Sequence, residues 1–233
     1  MSQFNPNTIS TEQIVEAQRT FLTKVYSWMF LGLLITALVA WYTLSNNELL
    51  LFIFENSLML PLFFGEIALV WILSANIEKF SKSTAMLMFL AYSSLNGITL
   101  SPIFLVYTGE SIMNVFSIAA VSFGGLSLFG YFTKRDLSGM RSFLIMGLIG
   151  VVISSVLNIF MNSSMLSFII SYAGVIVFAG LTAYDTQKLK EMSIIELEGG
   201  ETAGKMAIMG ALRLYLDFIN LFLFLLRILG SRR

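Results

Sequence analysis

Cysteine and histidine are both absent from the 233 residues, and proline occurs only at Pro6, Pro61 and Pro102. Without cysteine there is no disulfide, no thiolate nucleophile and no soft metal site. Without histidine the usual general base, the usual zinc ligand and the usual neutral-pH switch are missing. Proton chemistry must therefore lean on carboxylates, and any metal is a hard, oxygen-bound cation such as calcium or magnesium. No organic cofactor is implied. Charge is also scarce. Only 12% of residues are charged, where a soluble domain runs nearer a quarter. The net charge is zero, so there is no electrostatic case for nucleic acid.

What replaces charge is apolar sequence. It makes up 57% of the chain and arrives in long blocks of the length a helix needs to cross a bilayer, about 20 residues. The blocks cover 22–44, 49–74, 84–107, 112–132, 142–160, 165–185 and 206–229. They predict an all-α, polytopic membrane protein with seven transmembrane helices and the lipid bilayer as its first partner. Residues 1–21 read as a polar cytoplasmic segment, 22–229 as a single membrane domain and 230–233 as a short basic tail. The polar start, "MSQFNPNTISTEQIVEAQRT", predicts no cleavable signal peptide. Connections are short except 186–204, which reads as a polar surface loop.

Lysine and arginine assign the sides. Arg19 and Lys24 precede or open the first block, and Lys79 and Lys82 lie in the second connection. Lys134, Arg135 and Arg141 lie in the fourth, and Lys188, Lys190 and Lys205 in or beside the sixth. The first, third and fifth connections have none, which predicts a cytoplasmic N-terminus. The tail breaks this pattern. Seven crossings put Arg227, Arg232 and Arg233 outside, so the last helix either crosses against the rule or enters and returns.

Several blocks carry small or polar residues. Gly147, Gly150, Ser154 and Asn158 lie near one face of the fifth, and Gly124, Gly125 and Gly130 lie in the fourth. These suit close helix packing. The third block is interrupted by Asn96-Gly97 and Ser101-Pro102. Pro102 kinks a helix. Alternatively, a broken helix there lines a cavity with Asn96, Ser101 and Pro102, since irregular backbone survives at depth only where protein or water satisfies it.

Ionisable residues inside the blocks are the candidate site. Asp217 lies about 18 Å along the helix axis from Lys205, at 1.5 Å per residue, in the middle of the bilayer. Gly210, Arg213, Asp217 and Asn220 recur at spacings of three and four, which puts them on one face. Asp217 either pairs with Arg213 one turn away or lacks a full partner. Asp185 ends the sixth block with Thr182 one turn earlier, and is either an interfacial acid beside Lys188 and Lys190 or part of a site. Glu66 lies about 15 Å inside the second block, as a hydrogen-bonded structural acid or a transport residue. Two carboxylates close together in low dielectric share a proton. If Asp185 and Asp217 meet, they form a candidate pH sensor in a protein without histidine.

The stretches "GLTAYDTQKLK" at 180–190 and "LYLDFINLFLFLLRILG" at 214–230, with "TKRDLSG" at 133–139 and "GITLSPIF" at 97–104, resemble the transmembrane Bax inhibitor motif family. The resemblance covers nearly the whole chain and is nearest to bacterial inner-membrane members. It implies two groups of three helices around a central C-terminal helix, in the inner (plasma) membrane. It also implies a pH-sensitive calcium leak gated by aspartates that fall on Asp185 and Asp217, which would be the ligands if calcium binds. A basic residue in the family's second helix can latch the pair. Here that helix carries Glu66 instead, and Arg213 is the substitute candidate.

Two other functions compete with a leak. One is a non-conducting regulator that binds other membrane proteins, such as a protease or a stress factor; the protein partners are unknown. The other is an intramembrane aspartyl protease. Its Pro-Ala-Leu segment is missing from a late helix and "LYL" precedes Asp217, so the expectation is that the chain is not an enzyme.

Overall fold

The computed structural model describes residues 10–233. Its helices are α1 (Thr11–Ser45), α2 (Asn47–Glu55), α3 (Met59–Asn76), α4 (Lys82–Leu100) and α5 (Ile103–Val106). They continue with α6 (Gly109–Phe132), α7 (Arg141–Met161), α8 (Ser164–Met192), α9 (Ile195–Glu198) and α10 (Gly200–Leu229). A single 3-10 turn, Ser138–Met140, precedes α7. Among the described residues there is no strand beyond one isolated bridge, Tyr107 with Arg232. Seven segments are long and apolar enough to span a membrane, as the seven blocks predict. The side chains that would be costly in water, such as Trp71 (70% exposed) and Phe160 (82% exposed), lie on their outer faces. A lipid environment removes that cost.

Three predicted boundaries are corrected. α1 begins at Thr11, well before residue 22, because Ser10 and Gln13 form a reciprocal capping box that starts the helix in the polar segment. The block 49–74 is two helices. The chain turns at Asn56–Leu58, with Ser57 at φ 53; the spanning helix is α3, and α2 is a short apolar helix before it. The connection 186–204 is mostly helical rather than a loop. α8 runs to Met192, α9 follows, and the chain reverses at Gly199 and Gly200, whose φ values of 67 and 73 suit glycine.

The chain divides into two compact units. The first comprises residues up to Ile103 together with Leu189–Arg213. In it α1 and α4 approach closely at two glycines. A Cβ on Gly97 would stand 2.7 Å from the Thr36 carbonyl oxygen, and one on Gly32 would stand 2.6 Å from the Phe89 ring. The Thr36 hydroxyl donates across this seam to the Ser93 carbonyl, 2.9 Å. At the end that carries the lysines, Lys24 pairs with Glu196. There Lys205 also donates to the Glu78 carbonyl (2.7 Å), and the Lys82 amide donates to Glu201 (2.9 Å).

The second unit comprises Phe104–Lys188 and Leu214–Arg233. Val151, Ile170 and Val177 form its apolar centre between α7 and α8, with Phe224 of α10 against them. Phe116 and Phe123 of α6 meet Phe218 edge-on at 5.3 and 5.5 Å. The glycine-packing expectation holds in part. A Cβ on Gly130 would stand 2.2 Å from the Ala183 carbonyl oxygen and one on Gly147 would stand 2.8 Å from Val177, whereas Gly124, Gly125 and Gly150 face open space.

α10 is the most buried helix: 67% of its most apolar stretch is buried, against 11–33% for the other six spans. It is continuous over 30 residues, about 45 Å at 1.5 Å per residue. That length crosses a bilayer and leaves no break for a return. The tail beyond it is tied to the third connection: the Thr108 amide donates to the Ser231 carbonyl (3.2 Å), and the Arg233 amide donates to the Val106 carbonyl (3.0 Å). The Ser231 amide donates to Ser111 Oγ at 2.8 Å. The tail therefore lies at the membrane face of the third connection, one of the three without a lysine or arginine.

Candidate functional site

Asp217 sits on α10 at 4% exposure. Its helix is apolar enough to span, and its neighbours Tyr215 and Phe218 are also buried. Asp185 is half-buried on α8, between buried Ala183 and buried Thr186. Both acids belong to the second unit. Thr182 is fully buried and donates its hydroxyl to the Phe178 carbonyl one turn earlier, 2.8 Å. Asn220 is half-buried and its amide donates to the Leu216 carbonyl, 2.8 Å. Both predicted supporting residues thus spend a hydrogen on their own helix and keep an oxygen lone pair for other use. Arg213 is half-buried and, among the described residues, joins no ion pair.

Just beyond Asp185, Gln187 is buried at 7% exposure and clasps the fourth connection. Its Nε2 donates to the Arg135 carbonyl (2.9 Å), and its Oε1 accepts from the Leu137 amide (2.8 Å). Two of the stretches that carry the family resemblance, "TKRDLSG" and "AYDTQKLK", therefore touch. In that connection the Asp136 carboxylate accepts from the Ser138 amide at 2.8 Å. Hydrogen bonds from Ser138 hold its pKa below the ordinary aspartate value, with a small further pull from Lys188. Lys188 lies over the Tyr184 ring at 5.9 Å. Gln187 gave no signal in the sequence, because a glutamine at the end of an apolar block looks solvated.

Glu66 is a second centre, in the first unit. It is 7% exposed on α3. Asn96 Nδ2 donates to its Oε2 at 3.2 Å, and the Thr99 hydroxyl lies 2.6 Å from its Oε1. Among the described residues Glu66 has no cationic partner. The Thr99 hydroxyl also lies 3.2 Å from the Asn96 carbonyl. It has one hydrogen, so it donates either to the carboxylate or to the carbonyl. In the second case it can accept a proton held by Glu66, so the arrangement accommodates both protonation states. The predicted candidate Asn96 is thus a ligand of Glu66. Thr99 was missed, although it lies three residues from Asn96 on the same helix face.

Ser101 is fully buried and donates to the Ile98 carbonyl at 2.7 Å. With half-buried Pro102 it forms the turn between α4 and α5, within the single apolar span Lys82–Val106. As to a metal, no group of three or more acidic side chains converges among the described residues. Asp185 and Asp217 would thus need carbonyls and water to complete the six to eight oxygens that calcium takes.

The fold defines a multi-pass, all-helical membrane protein with carboxylates buried in its spans. A family model described as "Inhibitor of apoptosis-promoting Bax1" matches residues 18–233, and the chain belongs to this Bax inhibitor family. It is 48% identical over 230 residues to "Inner membrane protein YbhL" of Escherichia coli K12, covering 98% of each chain. It is 45% identical over 223 residues to an uncharacterized protein of Borreliella burgdorferi, covering 95% of this chain and 96% of that one. A third relative, from Rickettsia prowazekii, is 43% identical over 219 residues, covering 94% and 92%.

Proposed function

We propose that this protein is a proton-sensitive cation leak of the bacterial inner membrane, with calcium the favoured ion and Asp185 and Asp217 as the titrating pair. The observation that carries the reading is the burial of Asp217, 4% exposed in the middle of the most buried helix. An ionisable side chain at that depth costs at least a few kcal/mol and persists where it has a task or a partner. The family membership supports the same assignment, and the inner-membrane name of the Escherichia coli relative supports the location. The lysines and arginines of the even-numbered connections support a cytoplasmic N-terminus. The reading is of a transport protein and not of an enzyme.

Chemically, the pair would share one proton when closed. Losing it leaves two like charges in low dielectric, which repel each other or attract a cation. Either outcome changes the α8–α10 seam, and Gln187 would pass movement of α8 to the fourth connection. The test is calcium-dye flux into liposomes at pH 6 and pH 8. The reading expects flux to differ between the two, with the difference removed by Asp185→Asn or Asp217→Asn. Equal flux at both values, unaltered by Asp217→Asn, refutes it. No flux together with a stoichiometric co-purifying membrane protein would favour a non-conducting regulator.

A further inference from the structure

We propose that the second unit holds a phosphate-binding site, independent of the aspartates, in a cavity bordered by the fifth connection, α7, α8 and the tail. The cavity has a volume of about 770 Å³, within the range of small-molecule sites. Arg227 and Arg232 line it, and among the described residues no acidic one does. The rest of its polar lining is serine and asparagine.

The hydrogen bonding in the wall leaves donors over. Asn158 gives one amide hydrogen to Ser167 Oγ (2.9 Å), and its Oδ1 accepts from the Ser163 amide (3.1 Å). Its second amide hydrogen is left to give. Ser163 Oγ accepts from the Leu166 amide at 3.2 Å, so the Ser163 and Ser167 hydroxyls both act as acceptors and retain their own hydrogens. Adding two guanidinium groups gives a chamber rich in donors with a charge of two positive units. A group with several acceptor oxygens and negative charge fits it, and phosphate is that group.

Both arginines are exposed at the cavity, Arg227 with a contact to its side chain and Arg232 with its backbone tied. The Arg227 guanidinium lies over the Phe224 ring, 5.8 Å from its centre. Arg232 is bridged to Tyr107, and its neighbours Ser231 and Arg233 donate to Ser111 and Val106. The rim is apolar: Ile159 and Phe168 of the lining are 70% and 54% exposed. A glycerophospholipid would place its phosphate on the arginines and its chains along that rim. Free phosphate would use the same donors without the rim.

The experiment separates these sources. The full chain is assembled in nanodiscs of phosphatidylethanolamine and phosphatidylglycerol, extracted, and weighed by native mass spectrometry for retained phospholipid. In parallel, detergent-purified protein is titrated calorimetrically with inorganic phosphate. The variants are Arg227→Gln with Arg232→Gln, Arg232→Gln alone (an exposed residue beyond the last helix, whose bridge to Tyr107 is backbone), and the double lysine replacement. A retained lipid that falls about tenfold in the double glutamine variant and survives in the lysine variant supports the lipid form. Phosphate binding with the same arginine dependence, without lipid retention, supports the free-anion form. Lipid retention and phosphate binding that are the same in wild type and both glutamine variants overturn the proposal.

Discussion

Gly130→Ala is the sharpest test of the packing beside Asp185. A Cβ on Gly130 would stand 2.2 Å from the Ala183 carbonyl oxygen, 2.9 Å from its carbon and 3.0 Å from its Cα. All three atoms are backbone of α8, so no side chain can swing aside. Restoring ordinary contact requires α6 and α8 to separate by about 1 Å, since nonbonded heavy atoms settle beyond about 3.2 Å. Overpacking of this kind costs about 1–3 kcal/mol, and exchanging glycine for alanine within a helix returns up to about 1 kcal/mol. The net expectation is a loss of about 1–2 kcal/mol. For a chain of this size that lowers the melting temperature by about 3–6 °C. Gly124→Ala and Gly125→Ala on the same helix are the controls: both positions face open space, so only the helix gain remains and they melt at or above wild type. Tryptophan fluorescence is the wrong probe, because Trp28, Trp41 and Trp71 all lie in the first unit. Circular dichroism at the helical band follows the whole chain. A Gly130→Ala protein that melts with or above its two controls would refute the reasoning.

Glu66→Ala removes the acceptor shared by the Asn96 amide and the Thr99 hydroxyl and should cost about 1–3 kcal/mol. Glu66→Gln keeps an acceptor and should cost less, and equal melting of the two variants would count against the hydrogen-bonded site. The Asp136 carboxyl is held below 3.8 by Ser138. Its support of the fourth connection is therefore complete above pH 3.8 and lost as pH falls through the lower folded value; amide exchange at Ser138 should quicken only in that acid window, and Asp136→Asn should remove the transition. Because the chain has no cysteine, single cysteines report sidedness cleanly. Arg233→Cys should label from the same side as Asn162→Cys and from the opposite side to Lys134→Cys, and labelling of Arg233→Cys with Lys134→Cys would mean that α10 returns.

The spans were legible because lipid-facing helices must be apolar over a fixed length, and that requirement is written locally. Their edges were not. Hydropathy cannot separate α2 from α3, since both are apolar and the division rests on a turn at Asn56 and Ser57. It also misses α8 continuing past Asp185 to Met192, because the final turns are polar yet packed: Leu189 is 1% exposed and Ser193 is fully buried. In the candidate site the acids stood out by contrast with greasy surroundings. Their partners did not, because Glu66 takes its donors from a helix some thirty residues away.

The tail gathers these points into one physical conflict and its resolution. Counted by lysine and arginine, the C-terminus belongs with the even-numbered connections. Counted by helices, it belongs with the odd ones. A continuous helix of about 45 Å favours the second count, and the backbone bonds from 231–233 to 106–108 join the tail to the third connection. Charge bias in short loops acts while helices insert, and ten basic residues lie upstream of Arg213, so by that rule the first six helices are oriented before the seventh arrives. What the last arginines need is then a local reason to stand on the disfavoured face. A cavity with two of them in its wall and, among the described residues, no acid supplies one. A bound phosphate would neutralise most of that charge where it sits. The expected outcome is that Arg227→Gln with Arg232→Gln leaves the crossing intact, so that Arg233→Cys still labels from the side of Asn162→Cys; relocation of that label would separate the charge exception from the cavity.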